Sequence, residues 1–238
     1  ASLPRPAADD AGSPMAAAYA MLTRDQQLIA RAPVTQVIRY EQLSVLRDAY
    51  PAADDDDGRD ALRLPPRSNP RTVAFARELR ARHPGDRDLV AAVLAWFREE
   101  AFVYTLTPPL LDRDPVDGFL FDTRRGFCEH YAGAFAVMMR AAGIPARVVT
   151  GYQGGEINPR GGYLIVRQSD AHAWTEVLVD GAWRRIDPTA AVAPSRIEIG
   201  LSRTVAADEP VPLFARLDAG WLKDLQLTLD SVNHAWRR

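Results

Sequence analysis

Cys128 is the only thiol in the 238-residue chain, and its setting, Arg124-Arg125-Gly126-Phe127-Cys128-Glu129-His130-Tyr131-Ala132, puts it ahead of a run of small and apolar residues with helical spacing. His172 stands in Asp170-Ala171-His172-Ala173-Trp174-Thr175-Glu176, and Asp187 in Arg185-Ile186-Asp187-Pro188-Thr189. A thiol, an imidazole and a carboxylate in three distinctive settings point to nucleophilic catalysis. A cysteine in the first turn of a helix meets unpaired backbone amides and the positive end of the helix dipole, which favour thiolate over thiol and supply donors for an oxyanion. A thioester route needs a second oxyanion donor, for which Tyr104 and Trp96 are the candidates.

Asp180-Gly181 between two β-rich stretches signals a two-residue hairpin. Val179 then faces Ala182, Trp174 faces Asp187 and His172 faces Thr189. Asp187 becomes the diagonal neighbour of His172 on one face, roughly 7 to 8 Å away between backbone positions and within side-chain reach. That placement lets Asp187 orient the imidazole while its other nitrogen takes the thiol proton and later returns it to a leaving amine. Spacing alone does not bring this hairpin to Cys128.

Each residue also has a plainer reading. A lone cysteine followed by small residues can be a buried structural thiol, His172 a satisfied core histidine, and Asp187 a cap on the turn before Pro188. Two residues along a helix point about 200° apart, so Cys128 and His130 do not share a face and a metal site with Glu129 and His172 is disfavoured. The run Asp54-Asp55-Asp56-Asp57-Gly58 lacks the spaced ligands of a calcium loop and reads as a solvated acidic loop. No metal or cofactor is called for. Trp174 and Glu176, on the His172 face, read as packing and an ion pair beneath the site. Arg124 and Arg125 read as solvated or weakly paired.

With 47% apolar residues the chain can bury one substantial core. A net charge of -2 and an isoelectric point near 6.1 argue against a nucleic acid partner. One cysteine excludes an internal disulfide and disfavours structural zinc. No apolar run is long enough to cross a membrane, and the start Ala1-Ser2-Leu3 suggests a piece of a longer or processed protein.

Residues 1–14 read as a loose lead-in, 15–31 as a weak helix around Met15, Tyr19, Leu22 and Leu28, and Val34 to Leu46 as a strand. Ser68-Asn69-Pro70 starts a helix running to about Arg82, with a capping side chain ahead of a first-turn proline. Pro84-Gly85-Asp86 breaks it and opens a second helix with the apolar face Leu89, Val90, Val93, Leu94 and Phe97. Ala101 to Leu106 reads as a short strand and 110–125 as a loop. Phe127 to Ala142 should be a central buried helix, stopped by Gly143 and Pro145. The β-rich segments Ala146 to Tyr152, Tyr163 to Gln168, Ala171 to Val179 and Ala182 to Ile186 follow, with a Gly-rich loop, Gln153 to Gly162, between the first two. A helix followed by an antiparallel sheet is an α+β pattern. Residues 190–220 read as a surface wrap and Trp221 to Trp236 as a closing helix.

Gly126-Phe127-Cys128, His172-Ala173-Trp174-Thr175-Glu176 and Asp187-Pro188-Thr189 resemble the three core motifs of the transglutaminase-like superfamily. The run from Phe119 through Arg196, with Thr150-Gly151-Tyr152-Gln153-Gly154-Gly155-Glu156 and Asp187-Pro188-Thr189-Ala190-Ala191, is similar to bacterial membrane-anchored proteins of the TgpA type. The resemblance implies a papain-like fold with Cys128, His172 and Asp187 as a catalytic triad. It divides the chain into an N-terminal extension (1–66), a transglutaminase-like core (67–200) and a C-terminal wrap with a closing helix (201–238). It implies a periplasmic domain of a bacterial inner-membrane protein, the fragment itself soluble. The expected activity is acyl transfer from a glutamine-like amide of a protein or peptide, through a thioester, to an amine or water. A cysteine peptidase or amidase with the same triad, and a catalytically idle binding domain, are the alternatives.

Overall fold

The structure, a computed structural model, describes residues 20–23, 28–35, 49–52, 55–159 and 161–194. Its elements are β1 (Ala20–Leu22), β2 (Leu28–Ala30), β3 (Ala49–Pro51), α1 (Asp55–Asp60), α2 (Pro70–Arg82), α3 (Asp86–Glu99), β4 (Val103–Tyr104), α4 (Pro115–Asp117) continuing as a π-helical turn (Gly118–Thr123), β5 (Arg125–Gly126), α5 (Cys128–Ala141), β6 (Ala146–Tyr152), β7 (Glu156–Asn158), β8 (Tyr163–Ile165), a 3-10 turn (Gln168–Asp170), β9 (Ala171–Val179), β10 (Ala182–Ile186) and α6 (Thr189–Val192). The lead-in at 1–14, the closing helix at 221–236 and residues 195–220 of the expected surface wrap lie outside the described residues, while the start of that wrap, 190–192, is helical as part of α6.

The antiparallel sheet runs in the order β3-β10-β9-β6, and α5 packs across β9 and β6. This is the α+β arrangement expected, a helix led by Cys128 lying on an antiparallel sheet. The helix forms because apolar and small residues recur on most of its faces: Tyr131, Ala132, Ala134, Phe135, Met138 and Met139 are all buried. It stops at Gly143, whose φ of 83° suits glycine. There Ile144 N–H donates to the Met139 carbonyl at 2.9 Å and Gly143 N–H to the Arg140 carbonyl at 3.0 Å, the double bond of a Schellman stop. Thr175 Oγ1 donates to the Ala132 carbonyl at 2.9 Å and ties β9 to the helix.

Against the other flank of α5 pack α2 and α3 through Leu79, Leu89, Val93 and Phe97. An aromatic cluster joins them, with Phe97 and Phe102 centred 4.9 Å apart and Phe119 edge-on to Tyr131 at 5.0 Å. Each such ring contributes roughly 2 to 3 kcal/mol by leaving water.

Several expectations need correction. Within 15–31 the described residues form no helix: β1 and β2 pair antiparallel, with Met21 opposite Ile29. Too few apolar positions recur there to define a helical face, and pairing satisfies the backbone instead. Of the strand expected from Val34 to Leu46, residues 34 and 35 are irregular and 36–46 lie outside the described residues. The acidic loop is in part the helix α1.

Residues 110–125 are largely helical. Pro115 presets the first turn, and burial of Phe119 and Leu120 holds the π turn in place. The strand at Ala101 to Leu106 shrinks to two residues, paired parallel with β5. The Gly-rich 153–162 stretch contains β7, which forms a hairpin with β8. Asn69 does precede Pro70, but its side chain does not cap α2: Asn69 Oδ1 accepts from Val116 N–H at 2.9 Å. Buried Asp117 caps α2 from a distance, accepting from Arg71 N–H, Thr72 N–H and Thr72 Oγ1 at 3.0, 2.8 and 2.5 Å.

Candidate active site

Three local devices set the start of α5. β4 and β5 clamp the approach, with Val103 N–H donating to the Arg124 carbonyl at 2.8 Å and Thr105 N–H to the Gly126 carbonyl at 2.9 Å. Gly126 is required by close approach, because a Cβ there would lie 2.7 Å from the His130 side chain and 2.9 Å from the Phe119 ring. His130 folds back so that its Nδ1 accepts from Phe127 N–H at 3.4 Å; burial lowers its pKa, against a smaller raising by Glu129. Cys128 follows as the first residue of the helix, 8% exposed, packed with Ala132 of its own helix and Ala173 of β9. Among the described residues no acceptor is bonded to the Cys128 N–H, which leaves it free to face an oxyanion.

The hairpin does what its turn residues foretell. Asp180 and Gly181 take φ of 55° and 72°, and β9 pairs with β10 from Val179↔Ala182 to Thr175↔Ile186. Just past the last pair, His172 Nε2 meets Asp187 Oδ2 at 2.9 Å. Asp187 Oδ1 accepts from Thr189 N–H at 3.0 Å, so the turn at Asp187-Pro188-Thr189 aims the carboxylate. A carboxylate oxygen accepts, so Nε2 carries the proton and Nδ1 is left with a lone pair.

The His172 side chain is wholly buried, and Nδ1 has no hydrogen bond of ordinary geometry. The imidazole as a whole interacts with the Cys128 thiol. Burial alone would lower the His172 pKa, but the bond to Asp187 and the interaction with Cys128 outweigh it and hold the imidazole above its ordinary value. Cys128, His172 and Asp187, singled out in the sequence, are thus brought together.

Trp174 stands edge-on to His172 with ring centres 4.9 Å apart. The Arg185 guanidinium lies 5.3 Å from the Trp174 ring and donates to Glu176 at 3.0 Å, while Arg147 donates to the other Glu176 oxygen at 3.0 Å. Packing and an ion pair beneath the histidine are what these two positions show, and Arg147 is the member that sequence reasoning missed; its place opposite Glu176 depends on the β6–β9 register. Trp96 and Tyr104 belong to the large aromatic core rather than to the small cluster around Cys128. Tyr104 stacks parallel to Tyr131. Arg124 pairs with Glu100 and leans over Phe102.

The profile of the transglutaminase-like superfamily matches residues 73–188, a span that contains all three residues. A protein-glutamine gamma-glutamyltransferase of Pseudomonas aeruginosa is 48% identical over 225 residues, covering 91% of this chain and 34% of that protein. The chain belongs to the transglutaminase-like superfamily. The crystal structure of the periplasmic domain of TgpA from Pseudomonas aeruginosa superposes with a TM-score of 0.69 at 46% identity, covering 79% of this chain and 66% of that one. The same domain bound to ethylmercury gives 0.66 at 47% identity, covering 76% and 66%. A protein of Bacillus subtilis, YebA, is 37% identical over 136 residues, 54% of this chain and 18% of that protein. The chain therefore spans about a third or less of the length of these curated relatives. Among the described residues no helix is long and apolar enough to cross a membrane.

Proposed function

We propose that this transglutaminase-like core transfers the acyl group of a glutamine side chain to an amine or to water through a thioester on Cys128. The observation that carries the reading is the 2.9 Å contact of His172 with Asp187 beside a thiol at the first turn of a buried helix. In the first half-reaction His172 Nδ1 takes the thiol proton and the sulfur attacks the carboxamide carbon. The charge on the carboxamide oxygen falls toward the Cys128 N–H. The carbon–nitrogen bond breaks as His172 returns the proton, and ammonia leaves. In the second half-reaction an amine or water attacks the thioester, loses its proton to His172, and the thiol is regenerated with an isopeptide or a glutamate as product.

Asp187 keeps the reactive nitrogen facing the sulfur and supports the imidazolium that forms in each half-reaction. The relative's printed activity and the periplasmic origin of the superposed domain support the same reading. They also support placing this chain in the periplasm as part of a longer protein, while the membrane anchor rests on the resemblance of its motifs alone. The test is incorporation of a fluorescent primary amine into a glutamine-bearing protein, scored together with ammonia release. The wild-type chain should label the acceptor and Cys128→Ala should not. Equal labelling by both would falsify the assignment, and new amino termini without ammonia would make the chain a peptidase.

A further inference from the structure

Among the described residues β6 is an edge strand, paired only with β9. Its register sets Gly151 opposite His172 and Thr150 opposite Ala173, the residue that packs on Cys128. Side chains alternate across a sheet. Ala173 and Thr175 turn toward α5, so their partners Thr150 and Val148, and Tyr152 two residues on, lie on the helix side of β6. The helix nevertheless leaves them bare, with Val148 46% and Tyr152 51% exposed. Beyond Tyr152 the chain enters the β7–β8 hairpin, which carries further exposed apolar side chains, Ile157 paired to Leu164 and the two 71% and 56% exposed. An open strand edge flanked by bare apolar side chains invites another strand, and this one runs beside Ala173, the residue packed on the thiol.

We propose that the β6 edge docks the acyl donor as an extended polypeptide, added to the sheet as a strand with its glutamine opposite Thr150 and apolar residues two positions to either side, against Val148 and Tyr152. The proposal rests on the acyl-transfer reading and names the form in which that substrate is held. Main-chain bonds would hold the donor about 5 Å from β6 and so roughly 10 Å from β9. At that distance the donor's peptide carbonyls stay clear of Cys128, whereas a glutamine carboxamide on the helix side extends toward it. The edge thus presents a side-chain amide in preference to a peptide bond. Because residues two apart share a face, the pattern selected is apolar-x-Gln-x-apolar.

The test uses the whole 238-residue chain carrying Cys128→Ala and a fluorescein-labelled peptide of that pattern, with binding read by anisotropy. Single N-methylation along the peptide should weaken binding about tenfold at alternate positions and less than about twofold between them. Lysine in place of the flanking apolar residues should weaken binding by a similar factor. In the otherwise wild-type chain, Ile157→Lys with Leu164→Lys should raise KM for the long peptide severalfold more than KM for a small blocked glutamine. A flat methylation profile, or binding indifferent to the flanking residues, overturns the docking mode. So does failure of every such peptide to bind. If the small blocked glutamine releases ammonia while the profile is flat, only the docking mode fails. Absence of ammonia release from any glutamine donor sinks the acyl-transfer reading instead.

Discussion

Asp187 serves two partners at once, His172 through one oxygen and Thr189 N–H through the other, and this double hold makes it more than a turn cap. Asp187→Asn keeps the shape but loses the charge and allows the other tautomer, so kcat should fall by about 100-fold or more with the fold intact. Stability carries a second signature. His172 titrates above its ordinary 6.5 in the folded chain, so its charge contributes stability in full below pH 6.5 that fades as pH rises through the folded value. The stability gap between wild type and Asp187→Asn should therefore be widest in acid and close toward alkaline pH in denaturant titrations. A gap that widens with pH would contradict the assigned roles. The neighbourhood of His172 and Asp187 was legible because a two-residue turn fixes hairpin register. The approach of Cys128 was not, since it depends on how 43 intervening positions between Cys128 and His172 fold.

Elements with their own periodicity and stops are the ones the sequence announces. The helix from Cys128 and the strands from Ala146, Ala171 and Ala182 fall where turn residues and apolar spacing place them. The 110–125 segment hid its helical turn because its purpose is tertiary: Asp117 caps a helix nearly fifty residues earlier in the chain, and local spacing carries no sign of that. Asp117→Ala leaves the Arg71 and Thr72 amides and the Thr72 hydroxyl without their acceptor in a buried site. The cost should be about 3 kcal/mol, read as a lowered denaturant midpoint with an unchanged slope. A loss below about 0.5 kcal/mol would mean that water replaces the carboxylate. Thr175→Val removes the bond to Ala132 and should cost about 1 kcal/mol.

At the scale of the molecule, residues within 49–63, ahead of the expected core, join the sheet and the helix behind it. β3 supplies the strand beside β10, Ala61 carbonyl accepts from Ala146 N–H at 3.0 Å, and Arg63 carbonyl accepts from Arg140 at 2.8 Å. A chain beginning at residue 67 should unfold about 10 °C below one beginning at residue 49, as expected for a loss of several kcal/mol in a domain of this size. Equal midpoints would show the extension to be dispensable for stability. The sequence could not disclose this contribution because three-residue strands carry too little pattern to stand out, and their pairing is set by a partner far along the chain.

The central claim is that Cys128 carries the acyl group, and the most direct measurement is the intact mass of the chain after acid quench from a mixture with a glutamine peptide and no added amine. The expected result is an adduct of the peptide mass less ammonia, located on Cys128, which decays when an amine is supplied and is missing in His172→Ala. Ammonia released at the wild-type rate with no adduct forming, or an adduct on any other residue, would contradict it.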